Sequence, residues 1–129
     1  MLAVATANEL LELGSAARLA GDSAAALRFY QQVRSRFPES DAAAVAAYHF
    51  GRMAFGRGSW SDAERWFGTY LAERPGGALA AEALGRSLEC AEQRGDVVRI
   101  KLLASRYLET YPRGPHAPLA EQLLTESAP

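Results

Sequence analysis

The sequence predicts an all-α fold: an α-solenoid of three helical hairpins with a C-terminal capping helix, in one domain over residues 1–129. Three observations carry this. Gly21, Gly58 and Gly95 stand 37 residues apart, and so do Pro38, Pro75 and Pro112. Apolar residues recur at spacings of three and four, as in Leu10, Leu13, Ala17 and in Ala26, Tyr30, Val33, Phe37, the period of a helix buried along one side. No alternating run of useful strand length occurs.

Each element follows from this punctuation. Seven helices are expected at about 3–20, 23–36, 40–56, 60–73, 77–94, 97–110 and 116–126, paired into units of about 7–40, 44–77 and 81–114. Each glycine ends the first helix of a pair, because a left-handed cap costs glycine little. Asp22, Ser61 and Asp96 can cap the second helix, and "SDAE" from Ser61 to Glu64 has the form of a capping box. Each proline follows the second helix, where its missing N–H and its ring stop the spiral. Pro115 and Pro118 suit the start of the last helix, and Leu119, Leu123 and Leu124 can cover the open end of the third pair. Met1, Leu2 and Val4 are expected to extend the first helix and leave apolar surface at that end.

Composition excludes several functions. With 49% apolar residues and a formal charge of -1, the chain can form a core but has no global field for phosphate backbones or anionic lipid. Nucleic acid is therefore not an expected partner. Cys90 is the one cysteine, so neither an intramolecular disulfide nor a cysteine-rich zinc site can form, and its expected role is a small buried side chain. No stretch reaches the roughly 20 apolar residues of a membrane helix, so direct membrane insertion is not expected. The start, "MLAVATANELLELG", lacks a basic leader and leaves the compartment open: the periplasm or cell envelope is expected if a leader or anchor precedes this sequence, and the cytoplasm otherwise.

The spacing resembles the tetratricopeptide repeat (TPR). The first unit matches its signature with Leu10, Leu13, Gly14, Ala17, Ala26, Tyr30 and Pro38, and the second with Ala47, Phe50, Gly51, Ala54, Ala63, Phe67 and Pro75. The third departs from it, with Leu88 and Ile100 at the two small positions and Ala104 at the aromatic one. Enlarging both small positions predicts a wider third helix pair, partly offset by Ala104. A period of 37 is also longer than the usual 34, and with phrases such as "YPRGPHAPLAE" it is similar to the bacterial envelope type, that is, the Tol-Pal coordinator and the β-barrel-assembly lipoprotein.

Individual residues weigh against chemistry. His49 and His116 are far apart in sequence and share no metal-binding spacing, so neither a metal nor a cofactor is expected. Cys90 neighbours no histidine, Ser59 and Ser61 lie in a turn, and the glycines of "GRMAFGRG" are spread over a helix and its cap. No enzyme activity is expected. Trp60 and Trp66 read as packing at the hairpin edge.

What the resemblance implies instead is a groove along the first helix of each hairpin that receives a peptide or partner helix. The groove positions carried over are Asn8, Leu11, Ser15 and Arg18 from the first unit. Tyr48, Arg52 and Phe55 come from the second, and Glu82, Arg86, Glu89 and Glu92 from the third. Aromatic and arginine side chains at the centre are common at interface hot spots. Leu11, Ser15 and Glu82 stand where the chaperone-binding members place a lysine and asparagine clamp for a carboxylate, so that clamp is absent and a ligand of apolar and partly basic character is expected. The function expected is thus a scaffold or adaptor for a protein or peptide, in a bacterial envelope or signalling assembly. The alternative is a self-association domain of a larger envelope protein, forming a homo-oligomer.

Overall fold

The computed structural model describes residues 5–126, which form seven α-helices and no strand. In order these are α1 (Ala7–Leu19), α2 (Ser23–Arg36), α3 (Asp41–Gly56), α4 (Trp60–Glu73), α5 (Ala80–Arg94), α6 (Val97–Thr110) and α7 (Ala117–Glu126). The first helix starts later than expected because Thr6 caps it. The Thr6 hydroxyl accepts the Glu9 N–H at 3.1 Å while the Glu9 carboxylate accepts the Thr6 N–H at 3.0 Å. Residues 77–79, expected to open α5, form a turn instead. Met1, Leu2 and Val4 lie outside the described residues.

At the three hairpin tips the glycines adopt the left-handed region, with φ of 83°, 74° and 66° at Gly21, Gly58 and Gly95. The N–H of the next residue then reaches back to a carbonyl five positions earlier: Asp22 to Ala17 at 2.9 Å, Ser59 to Ala54 at 2.9 Å, and Asp96 to Ala91 at 3.1 Å. Asp22 and Asp96 cap their helices, their carboxylates accepting from Ala25 and Arg99. The second tip differs. Its cap position is Ser59, which makes no side-chain cap bond, and Ser61 already lies inside α4. The predicted capping box does not form because Glu64 points away from the helix start, toward Arg94 and Arg99.

Between hairpins, the chain is tied down by a second repeated device. The Tyr70 hydroxyl accepts the Leu79 N–H at 3.0 Å, and the Tyr107 hydroxyl accepts the His116 N–H at 3.0 Å. Gly77 and Gly114, again 37 residues apart, make room: a Cβ at either would collide with the tyrosine hydroxyl. At the first junction Val33 replaces the tyrosine, and Ser40 caps α3 by accepting the Ala43 N–H at 3.0 Å.

The core is three clusters in series, each joining one hairpin to the first helix of the next: around Leu10, Tyr30 and Phe50, around Phe67, Tyr70 and Ala83, and around Leu88, Tyr107 and Leu123. The last helix therefore covers the third pair as α3 covers the first. Within a pair, the helices meet where glycine faces an aromatic ring. A Cβ on Gly14 would lie 2.6 Å from the Tyr30 ring, and one on Gly51 2.8 Å from that of Phe67. In the third pair the same places hold Leu88 and Ala104, both fully buried. Large and small have exchanged sides of one contact.

Candidate functional site

The 37-residue register sorts the face formed by α1, α3 and α5 into rows. Asn8, Val45 and Glu82 share one row; Leu11, Tyr48 and Gly85 the next; then Glu12, His49 and Arg86; then Ser15, Arg52 and Glu89; and last Arg18, Phe55 and Glu92. Helical spacing of three and four brings these rows onto one side of each helix.

At the α1 end, Ser15 and the Tyr30 hydroxyl lie 3.0 Å apart, and Arg18 Nε donates to that hydroxyl at 3.4 Å. The Tyr30 ring stacks on His49, 5.1 Å between centroids. Burial, reinforced by the Arg18 and Arg52 charges, pushes the His49 imidazole down to about 4, so it is neutral near pH 7. Its Nδ1 is buried without a partner. Arg18 and Arg52 have no carboxylate partner among the described residues. Neither is engaged in an ion pair, and the acid of these rows at this end, Glu12, is exposed on α1.

At the α5 end, Arg86 is a hub. Its guanidinium sits 4.9 Å above the Phe55 ring, pairs with Glu82 at 3.0 Å and approaches Glu89 at 3.6 Å. Glu89 in turn meets His116 Nε2 at 3.0 Å. The ring of His116, from the start of α7, packs against Gly85, filling the place that Tyr48 occupies one repeat earlier. With Glu82, Glu89 and exposed Glu92 against Arg86, carboxylates outnumber cations here. Between the two ends lies a hollow of about 180 Å³ lined by Arg52, Phe55, Phe67 and Arg86.

The eleven predicted positions are thus not equivalent. Ser15 and Arg18 join through Tyr30, while Phe55, Glu82, Arg86 and Glu89 join directly. Asn8 and Glu92 are exposed, and Leu11 packs against the first core cluster. Tyr48 departs from expectation. It is only 6% exposed, wedged among His49, Phe67 and Tyr70, and burial followed by the Glu82 charge raises its hydroxyl above the usual phenol range. It forms the floor of the face, so its removal tests folding before it tests binding. Two members of the face, Tyr30 and His49, were not anticipated. The signal for His49 was present, since it stands 37 residues before Arg86.

Cys90 is fully buried, and burial, with the charges of Glu64 and Glu89, pushes its thiol up to about 12, so it is not a nucleophile near neutrality. Among the described residues, no three metal-binding side chains converge, and no helix is long and apolar enough to cross a membrane. Trp60 packs edge-on against Phe55 and Trp66 lies over Phe50, at 5.0 and 4.7 Å.

Helix pairs stacked at a fixed 37-residue register define this chain as a TPR-like all-α helical repeat. It is similar in structure to the N-terminal domain of stress-induced protein-1 (STI-1) from C. elegans, with a TM-score of 0.78 at 15% identity over 91% of this chain and 93% of that one. A likeness at that identity concerns the fold alone. No protein-family model and no curated protein matches the sequence.

Proposed function

We propose that this chain is a protein-interaction module whose α1, α3 and α5 face takes an extended peptide segment of a partner. The observation that carries the reading is the division of that face: Arg18 and Arg52 have no ion-pair partner among the described residues at one end, and Glu82, Glu89 and Glu92 outnumber Arg86 at the other. A ligand complementary to it places a carboxylate over Arg18 and Arg52, an apolar side chain in the hollow beside Phe55, and a basic group near Glu82 and Glu92. This revises the partly basic ligand expected from sequence, because the acidic half of the face is only one end. A fixed charge order also selects the direction in which a peptide lies.

Selection from a random peptide library on the purified chain tests this. Peptides with an acid, an apolar residue and a base in that order should be enriched, and Arg18→Ala with Arg52→Ala should weaken them about tenfold, the worth of one or two charge-assisted bonds. Enrichment without charge order, or affinity unchanged in the double variant, would refute the reading. The long repeat period supports a setting in a bacterial envelope or signalling assembly, which fractionation of the native host checks.

Self-association is a second reading, favoured by apolar side chains at the ends of the stack. Leu13 is 47% exposed on α1, whereas Phe50, its equivalent one repeat later, is buried in the cluster with Tyr30 and Val33 of α2. Val98 and Leu102 are likewise exposed on α6. Solution mass that stays monomeric at high concentration would dismiss it.

A further inference from the structure

On the opposite side of the molecule the helices α4 and α6 flank a cleft of about 350 Å³, floored by Leu84 and Ser87 of α5. Its meaning comes from comparison with the same cleft one repeat earlier, between α2 and α4. There the floor carries Phe50, whose ring lies 4.7 Å from Trp66, and Arg34 spans the mouth. Its guanidinium sits 5.6 Å above Trp66 and pairs with both oxygens of Glu73, at 3.1 and 2.9 Å. Two aromatic rings fill the first cleft and an ion pair seals it.

Advancing each residue by 37 replaces every part of that plug. Phe50 becomes Ser87, Trp66 becomes Leu103, Arg34 becomes Leu71 and Glu73 becomes Thr110. Ser87 is only 2% exposed, and its hydroxyl is already spent on the Ala83 carbonyl at 2.9 Å, so the floor is small and offers no free polar group. The mouth is open as well: a Cβ on Gly68 would meet nothing within 4 Å. On the rim, Arg106 stands where the first cleft has Thr69 and has no ion-pair partner among the described residues. Arg99, also on the rim, is already held by Glu64 at 2.9 Å.

We propose that this cleft is a second binding site, taking an aromatic side chain of a partner protein together with the carboxylate of the residue that follows it. The first cleft shows that the fold accepts aromatic rings in this space, and Arg106 supplies a cation that the chain itself leaves unmatched. Glu64 and Arg99 also line the cleft but neutralise each other, which leaves the exposed Arg106 as the free charge at its rim among the described residues, and an apolar pocket with a few polar groups is the usual form of a specific anchor site. The proposal is independent of the groove on the α1, α3 and α5 face.

The test is a backbone amide NMR titration with the blocked tetrapeptide Ala-Trp-Glu-Ala and its Trp-Gln counterpart. Shifts should concentrate at Gly68, Leu71, Leu103 and Arg106, and the glutamate peptide should bind about tenfold tighter, as for a charge-assisted hydrogen bond. Arg106→Ala should abolish that preference while leaving the glutamine peptide unchanged. Ser87→Phe should exclude both peptides. Leu71→Arg with Thr110→Glu, which rebuilds the seal at a half-buried and an exposed position and leaves the fully buried floor unchanged, should do the same even if Ser87→Phe does not fold. Absence of shifts at the cleft, equal affinity of the two peptides, binding that survives the rebuilt seal, or a free indole-3-propionate that binds tighter than the peptide would each overturn the proposal.

Discussion

The Tyr107 hydroxyl accepts the His116 N–H at 3.0 Å, and this one bond fixes where α7 enters the third hairpin. Tyr107 is fully buried and the bond is partly sheltered from water, so removing the hydroxyl leaves the N–H poorly satisfied. Tyr107→Phe should therefore cost about 1–2 kcal/mol, with amide exchange accelerating first in α7. Urea denaturation and hydrogen exchange measure both. Exchange that rises evenly over all seven helices would show that the bond does not locate α7.

Gly51 faces the Phe67 ring so closely that Gly51→Ala should destabilise by about 1–3 kcal/mol, because an overpacked core forces the ring aside. The third hairpin suggests the compensation. Gly51→Leu combined with Phe67→Ala copies Leu88 and Ala104, and should be less harmful than the two single changes added together, by more than about 1 kcal/mol. A double-mutant cycle by denaturation reads this directly; additivity would mean that the two hairpins do not share one packing scheme.

The hairpins were legible because their signals act locally. A glycine forced to positive φ and a proline that halts a helix work within a few residues, so the 37-residue spacing sufficed to place the three tips, while the start of α5 falls three residues later than expected. The capping box at Ser61 failed for the opposite reason. Glu64 is claimed by Arg94 and Arg99, partners 30 and 35 residues away that no local motif reveals. Register aligns Tyr48 with Leu11 and Gly85 but says nothing about depth. Its burial is set by Phe67 and Tyr70 on the next helix.

His49 should make the fold pH-sensitive. Its imidazole titrates at about 4 in the folded chain and near 6.5 when unfolded, so the unfolded state binds the proton more readily. The associated stability is fully present above pH 6.5 and is lost as pH falls toward 4. For a side chain still partly open to water, about 1–2 kcal/mol is expected. Denaturation of the wild type and of His49→Gln across pH 4–7 isolates this contribution: their stability difference should shrink with acid, and a constant difference would contradict it.

Glu64 makes the opposite kind of contribution, a charge kept because it is needed in two places. It is 8% exposed, yet its oxygens receive Arg94 at 2.7 Å and Arg99 at 2.9 Å, tying α4 to both helices of the next hairpin. Both arginines remain partly open to water, so losing the carboxylate does not strand a buried cation, and Arg94 keeps its bond to Asp96 at 2.8 Å. Glu64→Gln should accordingly cost about 1–2 kcal/mol, less than the 3–5 of a fully buried pair. Leu27 holds the equivalent place one repeat earlier, so Glu64→Leu preserves the packing and should cost no more than the glutamine. Salt should narrow the gap between wild type and either variant only slightly, because a pair this sheltered is weakly screened. Urea titrations at low and high salt decide it: a gap that closes completely would place these ion pairs at the surface in energetic terms, and hold the second and third hairpins together by apolar contact alone.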